Sequence, residues 1–167
     1  CGPIGIMTIL AARRAGASKI IATDLSDFTL EKATLAGANE IHNVNTNPDA
    51  LSPFNIGKGQ VDVHFECSGS EFALRSGVLA LRPKGCLIQL GLGGDMSIPM
   101  QALTAKEINL KGSFRFHEEF LIAVQMMQQG LIDVKPFVTH SFPLMQALDA
   151  FEAALDRETA LKVQITF

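Results

Sequence analysis

The sequence predicts an α/β fold built on a doubly wound parallel sheet. Three observations predict it. Short apolar runs alternate with longer amphipathic ones, the pattern of repeated strand–helix–strand units. A glycine turn, CGPIG at residues 1–5, opens directly into a helical stretch. The strand that follows this helix ends in an acid, Asp24.

Composition narrows the field. The chain has 167 residues, 47% of them hydrophobic and 19% charged, which suits one well-cored globular domain rather than a disordered chain. A net charge of −3 without any basic run argues against nucleic acid as a partner. No apolar run reaches the ~18 residues of a membrane span, and the start does not read as a secretory signal. Three cysteines, Cys1, Cys67 and Cys86, match neither a disulfide framework nor a zinc spacing, so a reducing cytoplasm is the expected setting.

Residues 4–15 have the length and apolar content of a helix, with Gly16 as its stop. KIIATD, 19–24, reads as a β-branched strand. Ser26 or Asp27 caps a helix through Ala36, which Gly37 terminates. EIHNV, 40–44, is a strand. Residues 45–60, with two prolines and two glycines, are loop with room for one short helical turn. VDVHFEC, 61–67, is a strand, and Ser70 caps a helix over 71–81 that ends before Pro83. CLIQLG, 86–91, is a strand running into the glycine-rich turn Gly91–Gly94, and INLKGSF, 108–114, is the last strand of the series.

A helix over 119–129, closed by Gly130, and another over 144–156 follow. The second carries Leu144, Leu148, Phe151 and Leu155 on one stripe. The closing ALKVQITF alternates apolar and polar residues, so it is a half-buried strand of a different sheet. The composition shift at Pro136–Pro143 marks the boundary before it.

The glycine turn and the acid belong together. Glycines let a backbone approach a pyrophosphate, and the helix behind them aims free N–H groups and a positive dipole end at the anion. Of the dinucleotide fingerprint G-x-G-x-x-G, Gly2, Pro3, Ile4 and Gly5 supply the later part. Asp24 stands about 20 residues on, where an acid accepts hydrogen bonds from ribose hydroxyls and repels the extra phosphate of NADP. In that fold a strand precedes the glycine turn at the sheet centre. Without it the sheet should fall into two halves with unpaired edges, and the chain is expected to be a piece of a longer polypeptide.

The stretches CGPIGIM, IIATDLS, DVHFECSGS, LRPKGCLIQLGL and LKGSFRFHEEF, in that order, resemble the zinc-type medium-chain alcohol dehydrogenases, in particular the polyol branch of sorbitol and L-idonate dehydrogenases. The resemblance implies a Rossmann domain over residues 1–135 and a segment over 136–167 that returns to a GroES-like catalytic domain. It implies NAD as cofactor, with zinc held by residues outside this chain, so that the chain alone would be inactive. It further implies a small polyol or sugar-acid substrate, and a homodimer or homotetramer formed through the strand near Ile108–Phe114.

Carried over residue by residue, the resemblance puts Gly2, Pro3, Ile4 and Gly5 at the pyrophosphate and Asp24 at the ribose. Thr29 stands where sorbitol dehydrogenases carry an Arg. Cys67, Ser68 and Gly69 lie under the cofactor, and Leu90, Gly91 and Leu92 lie beside the nicotinamide. Ser113, Phe114 and Arg115 form the next cofactor segment, with Arg115 also reaching substrate. Phe116 replaces a Tyr hydroxyl. No catalytic or metal residue is assigned within the chain. His64 reads as a partly buried strand residue, and His117, Glu118 and Glu119 as a helix start.

Three other readings share parts of the pattern: a zinc-free medium-chain reductase, a methyltransferase, and a non-catalytic NAD-sensing module. A complete short-chain dehydrogenase, which uses a catalytic Tyr, is excluded because the chain has none.

Overall fold

The structure, a computed structural model, describes residues 1–167. It consists of two compact units, one formed by Cys1–Asn45 with Phe116–Phe167 and the other by Thr46–Arg115.

The first unit opens with α1 (Pro3–Arg14), whose N-cap is Gly2 and whose first position is Pro3, a residue that sacrifices no helical N–H there. Arg13 and Arg14 sit at its negative dipole end, and Gly16 turns the chain away at φ +92°. β1 (Ile21–Asp24) pairs in parallel with β2 (Glu40–Asn43), Ile21 opposite Glu40 and Asp24 opposite Asn43. The crossover between them is α2 (Asp27–Ala36), which follows Ser26 and stops at Gly37 in the left-handed region. Ile6 and Ile9 of α1 pack with Ala22 of β1 and with Ala33 and Ala36 of α2, so one apolar cluster ties glycine turn, strand and crossover helix together.

α5 (Glu119–Gln128) buries none of its side chains. β6 (Val138–Pro143) and β7 (Lys162–Thr166) make a separate parallel sheet, joined through a 3-10 turn at Leu144–Gln146 and α6 (Ala147–Leu155). Its separateness agrees with the alternating pattern of the last strand, in which Val163 and Ile165 are half-buried between exposed neighbours. Two features differ from the sequence reading. β6 occupies the proline-bracketed stretch taken for a boundary, with Pro143 tolerated at its last position. The apolar stripe of α6 faces outward: Leu148 is 79% and Phe151 68% exposed, and Ala150 is the buried residue of this helix.

The second unit begins with a kinked 3-10 stretch at Ser52–Lys58. β3 (Val61–Glu66), β4 (Leu81–Gln89) and β5 (Asn109–Gly112) form a parallel sheet in that order, with β4 central. α3 (Glu71–Ala80) crosses from β3 to β4 and is capped by Ser70, whose Oγ accepts from Ala73 N–H at 3.4 Å. α4 (Met100–Ala105) precedes β5. Leu74 and Val78 of α3, Leu81 and Leu87 of β4, and Leu103 of α4 form the core.

β4 starts five residues earlier than its apolar run suggests. The pairing steps from Val61 opposite Leu81 to Val63 opposite Cys86, and Lys84 takes φ +61° in the bulge between. Lys106 holds the end of α3: its Nζ donates to the carbonyls of Val78, Leu79 and Leu81 at 3.0, 2.7 and 2.9 Å. β1 and β2 form one sheet and β3, β4 and β5 another, with no strand pairing between the two sets, as the sequence reading expects. No helix is long and apolar enough to cross a membrane.

Candidate functional site

The sequence-predicted residues fall into two groups, one in each unit. In the first unit the glycine turn and the acid meet. Gly2 caps α1 with no side-chain hydrogen bond to the helix end, and no carboxylate stands in the first turn. A Cβ on Gly2 would meet nothing within 4 Å. The helix thus presents uncapped N–H groups, with Pro3 and Ile4 at its first positions and Gly5 buried behind them, to an open approach.

Asp24 ends β1 on the same side. Its Oδ1 accepts from Leu25 N–H at 2.7 Å and Ser26 N–H at 3.1 Å, and the Cys1 thiol of the glycine turn donates to the neighbouring Thr23 carbonyl at 3.5 Å. Thr29 is only 7% exposed and its hydroxyl donates to Ser26 O at 2.9 Å. It therefore packs the α2 start against the acid and offers no cation to a ribose.

In the second unit one buried carboxylate organises the rest, and the sequence reading missed it. Glu66, the last residue of β3, is 1% exposed. Its Oε1 accepts from Ser68 N–H at 2.7 Å and from the Ser68 hydroxyl. Its Oε2 accepts from Gly69 N–H at 2.9 Å and Gln89 Nε2 at 2.6 Å. The Glu66 carbonyl accepts from Leu90 N–H at 2.8 Å and Gly91 N–H at 2.9 Å, while Gln89 Nε2 also reaches Gly91 O at 2.9 Å. Burial raises the Glu66 pKa, but the donors from Ser68, Gly69 and Gln89 prevail and hold it below the ordinary 4.5. The sequence offers only a faint signal: Glu66 falls with Asp62 and His64 on the polar positions of an alternating strand, and the short-side-chain run Cys67–Ser70 that follows is the one hint of a tight turn over it.

Glu66 thereby brings together two predicted segments, Cys67–Gly69 and Leu90–Leu92. Their backbones interlock: a Cβ on Gly91 would lie 2.0 Å from Gly69 N, and one on Gly93 would lie 1.7 Å from Gly69 O. Leu92 is left exposed at the loop tip. The third segment joins through β5, where Ser113 N–H donates to Gln89 O at 2.9 Å. Beyond it Arg115 takes φ +61° and lays its guanidinium over the Phe114 ring, 4.8 Å from the centroid. Arg115 enters no ion pair, so the aromatic ring rather than an acid positions it.

His64 is a strand residue whose ring lies against Gly77, where a Cβ would fall 2.3 Å from it. Burial depresses its pKa below 6.5, against the opposing charge of Glu66. His117 and Glu119 mark the helix start: Glu119 Oε2 accepts from His117 N–H at 2.9 Å. The three cysteines are free thiols. No three His, Cys, Asp or Glu side chains converge as a metal site, so the residues of this chain do not fit a zinc ion.

A glycine turn opening a helix, with parallel strand–helix–strand units behind it, places the chain in the class of α/β folds with parallel sheets. Comparison with known proteins gives the family. Residues 3–129 match the zinc-binding dehydrogenase family, to which this chain belongs. Sorbitol dehydrogenase of Ovis aries is 37% identical over 168 residues, covering 98% of this chain and 47% of that protein. L-idonate 5-dehydrogenase (NAD(P)(+)) of Escherichia coli (strain K12) is 35% identical over 167 residues, covering 99% and 48%. The crystal structure of L-idonate 5-dehydrogenase from Escherichia coli K-12 superposes with a TM-score of 0.93 at 35% identity, again over 99% of this chain and 48% of that one. The chain spans about half the length of the curated relatives it matches.

Proposed function

We propose that this chain is the NAD-binding part of a zinc-dependent polyol dehydrogenase, one that oxidises a secondary alcohol of a sorbitol- or L-idonate-like substrate. The observation that carries the reading is the junction of Asp24 with the uncapped start of α1. An anion at Gly2–Gly5 gains the helix N–H groups, while a carboxylate one strand away favours free ribose hydroxyls over a second phosphate. When bound, NAD supplies the hydride acceptor.

The chain's own residues bind and orient. Gly2, Pro3, Ile4 and Gly5 receive the pyrophosphate, and Asp24 receives the adenosine ribose. Cys67, Ser68, Gly69, Leu90, Gly91 and Leu92 form the bed for the nicotinamide half. Ser113, Phe114 and Arg115 complete the cofactor side, and Arg115, steadied by Phe114, reaches toward substrate. Phe116 supplies no hydroxyl to a polyol. Zinc ligation belongs to residues outside this chain.

On this reading residues 1–135 form the cofactor domain and residues 136–167 return to the catalytic domain; the separate β6–β7 sheet favours that division, while Phe137 and Leu161 tie the segment to the cluster around Ile6 and Ile9. The exposed edge strand β5, within Ile108–Phe114, suits strand pairing between copies in a homodimer or homotetramer. The sparse free cysteines suit a cytoplasmic enzyme. The experiment is an assay of the native protein with sorbitol and L-idonate, each with NAD+ and NADP+. Formation of NADH from at least one polyol is expected. Absence of turnover across a panel of polyols and sugar acids with either nucleotide contradicts the proposal.

A further inference from the structure

Glu66 has a geometry that exceeds what packing needs. A carboxylate at 1% exposure at the end of a strand carries a large desolvation cost. Here that cost is offset by side-chain bonds that all lead to loop or neighbouring-strand atoms: Ser68 N–H, Ser68 Oγ, Gly69 N–H and Gln89 Nε2. Gln89 then passes the connection to Gly91 O, and the Glu66 main chain takes the Leu90 and Gly91 N–H groups. One residue therefore fixes both loops, and the contacts between Gly69, Gly91 and Gly93 leave no room for either loop to shift alone. Being buried, the carboxylate cannot itself meet a ligand.

We infer that Glu66 is a positioning residue that locks the Cys67–Ser70 and Leu90–Gly93 loops into one rigid platform and thereby sets the affinity for the nicotinamide cofactor. This rests on the proposed cofactor function of those loops. A rigid platform loses little ordering entropy when the cofactor settles, whereas two loosened loops lose it on binding. The charge matters as well as the shape. Glu66→Gln keeps the volume but turns an NH2 group toward the N–H donors of one loop or the Gln89 amide.

The test measures NADH binding to the native protein by calorimetry, well below the unfolding midpoint of each variant, together with amide hydrogen exchange across both loops. Glu66→Gln is expected to weaken NADH binding about tenfold, the loss of one charge-assisted bond's contribution. Gln89→Met is expected to weaken it by about threefold, since Glu66 keeps its Ser68 and Gly69 donors. In both variants the amides of Ser68, Gly69, Leu90 and Gly91 should lose protection together, and Glu66→Asp should recover part of the affinity.

Folded variants that bind NADH within about twofold of the parent, or in which only one loop loosens, overturn the inference. If Glu66→Gln does not fold, Gln89→Met decides alone. A parent protein that binds neither NADH nor NADPH overturns the cofactor reading and this role with it. A parent that binds while the variants are unaffected overturns this role only.

Discussion

Glu66 and Gln89 stand opposite each other on β3 and β4, and Gln89 Nε2 donates to Glu66 Oε2 at 2.6 Å. The same amide nitrogen donates to Gly91 O, which leaves Gln89 Oε1 buried and unpaired. Both residues are thus oriented toward the loops rather than toward the sheet. The pair links strand register to loop position.

Acid should expose the role of Glu66 in stability. Its folded pKa lies below the ordinary 4.5, so the unfolded chain takes up the proton first as pH falls. The stabilisation is complete above 4.5 and is lost as pH drops through the folded value. In urea unfolding, Glu66→Gln should be clearly less stable than the parent near about pH 6, and the gap should narrow steadily below about pH 4.5. A gap that stays constant into acid contradicts this.

Gly91→Ala should cost about 2–4 kcal/mol, because its Cβ would lie 2.0 Å from Gly69 N, a backbone atom with nowhere to move. Gly112→Ala is the control. A Cβ there meets nothing within 4 Å, so its stability should stay within about 0.5 kcal/mol of the parent. Equal effects in denaturant titrations would show that the loops are not interlocked.

Lys106→Met should destabilise by about 2 kcal/mol, since three carbonyls at the end of α3 lose a charged donor. Lys84→Met removes an exposed cation 3.8 Å from Glu107 and should change stability by less than about 0.5 kcal/mol. Urea midpoints for the two variants that coincide would refute the cap.

Much of this fold was legible because its punctuation is local. Gly16 and Gly37 stop helices at positive φ, Ser70 caps α3, and the apolar runs of β1, β2 and β3 are where the structure puts them. The glycine turns and the strand-end acid were legible as local structure, because glycine and Asp have few other uses at such positions. What was hidden depends on tertiary partners. β6 is bracketed by prolines and exists through its pairing with β7. The early start of β4 needs a bulge at Lys84 that no local pattern announces. Glu66 looked like one polar residue in a strand, and its importance appears only when the loops of two strands fold over it.

Asp24 carries the central claim, because in the proposed function it joins a glycine turn to a choice of nucleotide. The most direct measurement is calorimetric titration of the native protein with NADH and NADPH, repeated for Asp24→Ser. The account predicts that NADH binds at least about tenfold more tightly than NADPH, and that Asp24→Ser narrows the ratio by strengthening NADPH binding. Equal affinity for the two nucleotides in the parent, or no binding of either, would contradict it.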